Sequence, residues 1–193
     1  MKKLLENSKG MFRTDFKNVY YHFGSAYQPI FDEMLKTIPN LIFKEGLPVD
    51  EELFEISKNN NHNCIILDDL MVEVNSNPKL EKLWTVYSHH YNLTIIYLTQ
   101  NLFEKGKAAR SISLNTSYFC LFRNFRDELQ VQHFAREVFP GKTKLFMEAY
   151  KLATCKEYGY LLVDLERKSD RRFRLRTNIF PGENTIAYDL ESV

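Results

Sequence analysis

The hydrophobic positions of this 193-residue chain form short runs rich in β-branched and aromatic residues, and these runs alternate with longer stretches of helical spacing. Polar or glycine-containing segments separate the two kinds of stretch. Alternation of this kind is typical of α/β proteins, in which helices pack against a largely parallel sheet. The pattern therefore predicts an α/β fold with a mostly parallel sheet.

The same pattern predicts where each element lies. Strands are predicted at residues 18–23, 41–43, 64–67, 93–99 and 117–122, and helices at residues 27–35, 50–56, 78–91, 127–138 and 145–155. A C-terminal antiparallel hairpin is predicted within residues 158–180, with strands at 158–165 and 173–180 and a charged connection. The tail from Gly182 is expected to be loose. No internal repeat or linker is visible, so one domain over residues 1–193 is expected.

Two of the predicted strands are largely apolar and end in polar side chains. Residues 64–67 precede Asp68-Asp69, and residues 93–98 precede Thr99-Gln100-Asn101. Runs without alternation indicate strands buried on both faces, in the middle of a parallel sheet. Because ligands of open α/β sheets bind at the carboxyl ends of strands, we expect the two polar groups to form a site at one edge.

The segment Cys-Ile-Ile-Leu-Asp-Asp at residues 64–69 has the form of a Walker B motif. In that interpretation Asp68 holds the water shell of a Mg²⁺ bound to nucleotide phosphates. Asp69 orients or deprotonates the attacking water, a role more often filled by Glu. Gln100 bridges the γ-phosphate and that water. The alternative is that the acidic pair is an ordinary strand end and that Gln100 caps its loop.

Composition narrows the classes of partner. Lys and Arg number 26 against 25 Asp and Glu, a net charge of +1, so bulk charge gives no argument for a nucleic-acid or membrane partner. With 44% hydrophobic residues the chain can bury a core. The three cysteines form no Cys-x-x-Cys pair and are expected as small core residues. No apolar run suits a membrane span or signal peptide, so a soluble intracellular protein, nuclear or cytoplasmic, is expected.

One basic cluster lies near the C-terminus. On a strand, Arg172, Arg174 and Arg176 share one face, where three guanidinium groups can contact a nucleic-acid phosphate backbone. The alternative is a solvated edge strand whose positive charges discourage edge-to-edge pairing, because several acidic residues lie close by in the sequence. Both interpretations stay open at this point.

Taken in order, these segments carry a family resemblance. The strand with Asp68-Asp69 is followed by a helix and TIIYLTQN, then by RSISLN leading into YFCLFRN, and finally by GYLLVDL with RLRTNIFP. Together they resemble the genome-packaging ATPases of large DNA viruses, virophages and Polinton/Maverick elements, which belong to the FtsK–HerA group of P-loop ATPases. The resemblance spans roughly residues 2–181, and its specificity lies in the order of the motifs.

The resemblance implies a RecA-like P-loop fold and a motor that couples ATP hydrolysis to translocation of double-stranded DNA. It implies ATP and Mg²⁺ as cofactors, a homo-oligomeric ring, capsid components as partners and association with the virion. By similarity, Asp68 takes the metal- and cofactor-binding role, Asp69 the catalytic role and Gln100 the sensor role. Three residues are candidates for an arginine finger that acts across a subunit boundary, namely Arg110, Arg123 and Arg126.

The chain departs from this family in one respect. It contains no Gly-x-x-x-x-Gly-Lys-Ser/Thr loop; Gly141-Lys142-Thr143 imitates the end of one, but Arg136 stands where the first glycine belongs. Residues 2–7 resemble the tail of the helix that follows this loop, so the domain is expected to be incomplete. It would lack the first strand, which the family places between the sensor strand and the strand after it. We predict that the chain alone binds ATP and Mg²⁺ weakly and does not hydrolyse ATP.

Two other interpretations stay open. The chain could be a non-catalytic, domesticated or truncated relative that acts as a DNA-binding or subunit-interaction module. It could also be a different P-loop ATPase, such as a helicase or a plasmid-transfer motor. That third interpretation shares the acidic and sensor motifs but does not predict the GYLLVDL and RLRTNIF hairpin.

Overall fold

The structure, a computed structural model, describes residues 1–24, 26–58, 61–70, 74, 77, 81–102 and 107–190. The chain divides into two compact units, Met1–Asn115 and Thr116–Val193. Each unit has a sheet and helices of its own, and each is described by itself. The division into two units does not test the expectation of one domain over residues 1–193, which stays a prediction.

The N-terminal unit contains parallel strands joined by helices. Its strands are β1 (Val19–Phe23), β2 (Leu41–Glu45), β3 (Asn63–Asp68) and β4 (Leu93–Leu98). Its described helices are α1 (Lys2–Glu6), α2 (Ser8–Met11), α3 (Pro29–Thr37), α4 (Asp50–Lys58), α5 (Ser88–His90) and α6 (Lys107–Asn115). The strand order is β2-β1-β3-β4 and every pairing is parallel. The predicted α/β class with a parallel sheet is confirmed for this unit.

Strand β3 contributes to two hydrophobic cores, one on each face of the sheet. Cys64 and Ile66 belong to the core that contains residues of α1 and α3. Ile65 and Leu67 belong to the core that contains residues of α4 and α6. All four side chains are 0% exposed. The apolar run that predicted a central, doubly covered strand is therefore confirmed for β3.

Strand β4 corrects one expectation. Its apolar run predicted a central strand, but among the described residues of this unit β4 is the last strand of its sheet, with β3 as its neighbour. Leu93 is buried, whereas residues 94–98 are half-buried. The prediction failed because an apolar sequence shows that a strand favours burial. It does not show how many neighbouring strands the sheet provides.

The helix predicted at residues 78–91 is described only in part. Positions 78–80 lie outside the described residues, and from position 81 the chain is helical, with a π-helical turn over Leu83–Tyr87. Leu83 and Trp84 are buried in this turn. The Trp84 ring meets the ring of Tyr97 on β4 at 5.9 Å between centroids, which packs the helix on the sheet.

A partly buried charged cluster joins β1, β2 and α4. The Glu52 carboxylate, 9% exposed, accepts a hydrogen bond from Lys44 Nζ at 2.8 Å and lies 3.5 Å from His22 Nε2. His22 Nδ1 donates to the Gly46 carbonyl oxygen at 2.9 Å. Burial raises the pKa of the Glu52 carboxyl, but its interactions with His22 and Lys44 outweigh burial and hold the pKa below its ordinary value of 4.5.

This cluster predicts acid-sensitive stability of the N-terminal unit. Because folding lowers the pKa of Glu52, its contribution is complete above a pH of 4.5 and is lost as the pH falls through the folded value. We expect Glu52→Gln to lower the unfolding free energy at neutral pH by about 1–3 kcal/mol and to weaken the loss in acid. Urea unfolding followed by fluorescence of Trp84, the single tryptophan, measures both effects.

The matched control for this prediction is Glu55→Gln on the same helix. The Glu55 side chain is 66% exposed and pairs locally with Lys58, three residues later. We expect this substitution to leave the unfolding transition and its acid dependence nearly unchanged. An acid dependence of Glu52→Gln equal to that of the unchanged chain would contradict the role given to the cluster.

The C-terminal unit contains an antiparallel sheet packed against two helices. Its strands are β5 (Tyr118–Phe122), β6 (Tyr160–Asp164), β7 (Leu175–Thr177) and β8 (Ile186–Ala187), in that order across the sheet. Its helices are α7 (Glu128–Val138) and α8 (Thr143–Ala153). The Asp127 side chain caps α7 by accepting a hydrogen bond from Gln130 N at 3.2 Å. Phe119 on β5 packs against Phe134 of α7 at 4.8 Å between ring centroids.

Two expectations for the C-terminal unit need correction. Strands β6 and β7 do pair antiparallel, but β7 is shorter than predicted because Arg171–Phe173 forms a 3₁₀ turn that Asp170 caps. Over its described residues, 182–190, the tail is not loose. Strand β8 pairs with β7, and the Leu190 carbonyl oxygen accepts a hydrogen bond from Lys142 Nζ at 2.8 Å.

The cysteines also differ from expectation. Cys64 is buried, but Cys120 and Cys155 are exposed, so the prediction of three core cysteines is wrong for two of them. Both lie in hydrophobic stretches that are only partly covered, and apolar neighbours in the sequence do not ensure burial. As for membranes, none of the helices among the described residues combines the length and the apolar character that a crossing requires.

Candidate functional site

The acidic pair Asp68-Asp69 lies at the carboxyl end of β3, between β1 and β4. The strand order places a topological switch point between β1 and β3, because the chain leaves β1 for β2 on one side and then places β3 on the other. Ligands of open α/β sheets bind outside the carboxyl ends of strands at such a point. The acidic pair therefore lies where this kind of sheet binds ligands.

A buried tyrosine holds Asp68. Tyr21 Oη donates a hydrogen bond to Asp68 Oδ2 at 2.7 Å, and Tyr21 is only 3% exposed. Its ring packs against Phe31 and Phe43 with centroids 5.4 and 5.0 Å apart. Tyr21 lies two residues before Phe23, the partner of Asp68 in the β1–β3 register, and so shares a sheet face with Asp68. Burial and the contact with Asp68 raise the pKa of the Tyr21 phenol, which keeps it a donor.

The turn after β3 depends on Gly24. The Gly24 amide donates to the Asp68 carbonyl oxygen at 3.0 Å. A Cβ at position 24 would lie 1.9 Å from the Asp69 carbonyl oxygen, far inside the contact distance. Asp69 has φ 55°, in the left-handed region that Asp tolerates better than most residues, and its side chain is exposed. The end of β1 thus determines the main-chain path at the acidic pair.

The sensor candidate Gln100 follows β4 on the neighbouring strand. Asp68 pairs with Leu98 in the β3–β4 register, so the residues after each strand emerge at the same edge. Thr99 Oγ1 donates to the Asn101 carbonyl oxygen at 3.0 Å and accepts from the Asn101 amide at 3.2 Å. These bonds form a hydroxyl-bonded turn that leaves Gln100 exposed. The structure therefore brings Asp68, Asp69 and Gln100 to one edge of the sheet.

This edge is the strongest concentration of predicted site residues in the N-terminal unit. No family model, curated protein or solved structure matches this chain. The inferences about function below therefore rest on the geometry of this edge and on the placement of the charged residues.

The edge fits one part of a magnesium–nucleotide site. Asp68 presents Oδ1, since Oδ2 accepts the hydrogen bond from Tyr21. Mg²⁺ held by one or two carboxylates takes its remaining ligands from substrate phosphates and water. Within the described ranges no group of three or more His, Cys, Asp or Glu side chains could hold a metal ion. Asp68 can therefore supply a single carboxylate, and a phosphate-binding element would have to supply the rest.

The three arginine-finger candidates lie in different parts of the chain. Arg110 is exposed on α6 of the N-terminal unit. Arg123 and Arg126 are exposed just after β5 in the C-terminal unit, and the Arg123 guanidinium lies 4.5 Å from the centroid of the Phe125 ring. Exposure is what a finger acting on a neighbouring subunit requires, and each assignment stays a prediction.

The predicted row of arginines along one strand is wrong in its geometry. Arg172 lies in the 3₁₀ turn and not on β7, and its Nη2 contacts Asp170 Oδ2 at 2.7 Å. Arg174 ends that turn, and Arg176 is the one member on the strand. Arg176 Nη2 contacts Asp164 Oδ2 at 2.7 Å, in a pair that is 28% and 5% exposed. The alternation failed because Asp170 starts a turn where a continuous strand was expected.

Two residues that shape the acidic edge were missed from the sequence, Tyr21 and Gly24. Tyr21 was assigned only to a strand, although a tyrosine on a strand next to an Asp-bearing strand is a signal for a hydrogen bond of this kind. Gly24 directly follows the predicted strand at residues 18–23, and nothing in the local pattern marks it. Its requirement comes from the close approach of the Asp69 carbonyl oxygen, which no local pattern reveals.

Removing the hydroxyl oxygen of Tyr21, and with it the hydrogen bond to Asp68, is expected to have a large effect on stability. We expect Tyr21→Phe to lower the unfolding free energy of the N-terminal unit by about 1.5–3 kcal/mol, because the bond has a charged acceptor and lies in a buried setting. The matched control is Tyr27→Phe, since Tyr27 Oη also donates to an aspartate, Asp32 Oδ1 at 2.9 Å, but Tyr27 is 51% exposed. Equal urea midpoints for Tyr21→Phe and the unchanged chain, read by Trp84 fluorescence, would contradict the prediction.

Proposed function

We propose that this chain carries the acidic and sensor part of the ATP site of a RecA-like, P-loop DNA-packaging motor of viral or transposon type. One observation carries the proposal: the neighbouring parallel strands β3 and β4 end in register, in Asp68-Asp69 and Thr99-Gln100. Paired strand ends of this kind place a carboxylate pair and an amide around one small volume. The resemblance in motif order supports the same assignment.

Each residue of the edge has a role in the proposal. ATP with Mg²⁺ supplies the phosphoryl group whose transfer drives such motors. Asp68, oriented by Tyr21, is the carboxylate on the cation side, and the exposed Asp69 accepts the proton of the attacking water. Gln100 orients that water through its amide. One of Arg110, Arg123 and Arg126 acts as the finger across a subunit boundary.

The proposal includes the partners of a packaging motor. Double-stranded DNA is the moved substrate, a homo-oligomeric ring is the working assembly, and capsid components are its docking partners. In the C-terminal unit, Arg171 and Arg172 are exposed in the 3₁₀ turn and are the basic side chains best placed to contact a phosphate backbone. Arg176 contacts Asp164, so its primary role is structural rather than DNA binding.

The 193 residues contain no Gly-x-x-x-x-Gly-Lys-Ser/Thr loop, and this makes a prediction for the purified chain. We expect phosphate release from Mg-ATP to stay at background, with and without double-stranded DNA, because no backbone cradle holds the phosphates. Asp69→Asn is expected to release phosphate at the same background rate. Turnover by the unchanged chain that disappears in Asp69→Asn would contradict the prediction.

The second candidate is a non-catalytic DNA-binding or subunit-interaction module. It is favoured by the lack of a phosphate loop in the sequence and by the engagement of Asp68 with Tyr21. Binding of a labelled DNA duplex at several salt concentrations tests it. A module that binds DNA through the 3₁₀ turn should show a shallower salt dependence in Arg171→Ala/Arg172→Ala, with an unchanged slope in Lys156→Ala as the control on another exposed cation.

A further inference from the structure

Four large apolar side chains lie exposed at one end of the C-terminal unit. Phe125 is 80% exposed and Tyr158 is 83% exposed, while Leu129 and Leu152 are 66% and 63% exposed. We call these four residues the end patch. Single exposed apolar side chains are ordinary in proteins, but a group of them on one surface marks an interaction site.

The two leucines lie together because the helices α7 and α8 meet at this end. Lys151 Nζ, in the last turn of α8, is 3.8 Å from Glu128 Oε2, in the first turn of α7. Leu152 and Leu129 are the residues directly after Lys151 and Glu128. The start of α7 and the end of α8 therefore present their exposed leucines at the same end of the unit.

The loops beside these helix ends hold the two aromatic rings. The main-chain amide just before Phe125 donates a hydrogen bond to Tyr150 Oη of α8 at 2.9 Å. Tyr158 precedes Gly159, which lies so close to the end of α8 that a Cβ there would be 2.7 Å from the Ala153 carbonyl oxygen. Tyr158 has φ 56°, a left-handed conformation that is unfavourable for a bulky residue. Because glycine would fit this position at lower cost, a tyrosine here indicates a function for its exposed ring.

The charges around the end patch are basic on balance. Within residues 123–128 and 151–158, Glu128 faces Lys151, and Asp127 caps α7. The exposed charges that remain there are three basic and one acidic, namely Arg123, Arg126, Lys156 and Glu157. Arginine and aromatic side chains are enriched among the residues that contribute most to binding at protein interfaces. The end patch therefore fits a partner surface that is both apolar and acidic.

The outer side of α4 in the N-terminal unit is such a surface. Phe54 and, just before the helix, Val49 are each 57% exposed. The first turn of α4 has three acidic residues and no basic residue, and of these Glu51 is exposed three positions before Phe54, on the same side of the helix. Lys58 lies 4.1 Å from the centroid of the Phe54 ring and pairs with Glu55 at 2.8 Å, so its charge is already matched. We call Val49, Glu51 and Phe54 the α4 face.

We propose that the end patch of one copy of this chain binds the α4 face of a second copy. Apolar side chains then cover apolar side chains, and Arg123 and Arg126 lie against the Glu51 carboxylate. Because the two surfaces differ, the contact is heterologous, and every bound pair keeps one end patch and one α4 face for further copies. The inference rests on these exposed side chains and not on the proposed ATP site.

Sedimentation velocity of single variants tests this contact. We expect the unchanged chain to form assemblies larger than a dimer as its concentration rises to about 100 µM, where contacts of micromolar Kd are occupied. Phe125→Glu and Phe54→Glu should each weaken the contact at least about 30-fold and sediment as monomers. Leu114→Glu, at a residue that is 69% exposed outside both surfaces, is the matched control and should assemble like the unchanged chain.

Mixing the two monomeric variants tests the pairing of the surfaces. Phe125→Glu keeps its α4 face and Phe54→Glu keeps its end patch, so an equal mixture should form a heterodimer and nothing larger. Binding in the mixture also shows that both variants are folded. A mixture that stays monomeric while the unchanged chain assembles would overturn the proposal. An unchanged chain that is monomeric at every concentration, as expected if another protein covers the end patch, would overturn it as well.

Discussion

Gly24→Ala is expected to lower the unfolding free energy of the N-terminal unit by about 3 kcal/mol or more. The new Cβ would lie 1.9 Å from the Asp69 carbonyl oxygen and 2.8 Å from its carbonyl carbon. Both atoms belong to the main chain, so relief requires the turn after β3 to move away from β1. Such a movement also strains the bond from the Gly24 amide to the Asp68 carbonyl oxygen. Urea unfolding read by Trp84 fluorescence measures the loss.

Gly46→Ala is the matched control for this prediction. Gly46 has φ 78°, but a Cβ there would meet nothing within 4 Å. We expect only the conformational cost of a left-handed alanine, about 1–2 kcal/mol. If Gly24→Ala proves no more destabilising than Gly46→Ala, the close approach of the two strand ends is not the reason for the glycine.

Asp164→Ala is expected to destabilise the C-terminal unit by about 3 kcal/mol. The Asp164 carboxylate accepts hydrogen bonds from Arg176 Nη2 at 2.7 Å, Ser169 Oγ at 2.9 Å and Glu166 N at 3.0 Å. Its loss leaves a largely covered guanidinium without an anion and releases the loop between β6 and β7. Amide hydrogen exchange of β6 and α8 should become faster, which measures the loss within this unit.

Asp170→Ala is the matched control, because it removes a different arginine–aspartate pair of the same unit. Hydrogen bonds from Arg172 lower the pKa of the Asp170 carboxyl to about 2, but both side chains of this pair are open to solvent, at 72% and 44%. We expect hydrogen exchange of β6 and α8 to stay nearly unchanged. Equal acceleration by Asp164→Ala and Asp170→Ala would refute the structural role given to Asp164 and Arg176.

The strands and helices of the N-terminal unit were largely predictable, because each rests on a local pattern. The run at residues 64–67 predicted a strand covered on both faces, and β3 is that strand. The same run also predicted where this strand ends, and hence that the acidic pair lies at its carboxyl end. The partners of the acidic pair did not follow, because Tyr21 and Gly24 reach it through the β1–β3 register, which is a long-range property.

The C-terminal unit shows where local pattern fails. Alternating arginines predicted a strand through residues 172–176, but Asp170 caps a 3₁₀ turn and Asp164 binds Arg176. Side-chain hydrogen bonds of aspartate compete with strand formation, and alternation alone does not register that competition. The same limit applies to β4, whose apolar run predicts a central strand, whereas among the described residues it is the last strand of its sheet.

The central claim is that the edge at Asp68, Asp69 and Gln100 serves a P-loop ATP site. Supplying the missing part of the site tests this most directly: an apolar strand and a Gly-x-x-x-x-Gly-Lys-Ser/Thr loop are fused ahead of residue 2. We predict that this fusion protein hydrolyses Mg-ATP at a rate that Asp69→Asn lowers at least about 100-fold. A fusion protein that folds but does not hydrolyse Mg-ATP, or hydrolysis that Asp69→Asn leaves unchanged, would contradict the claim.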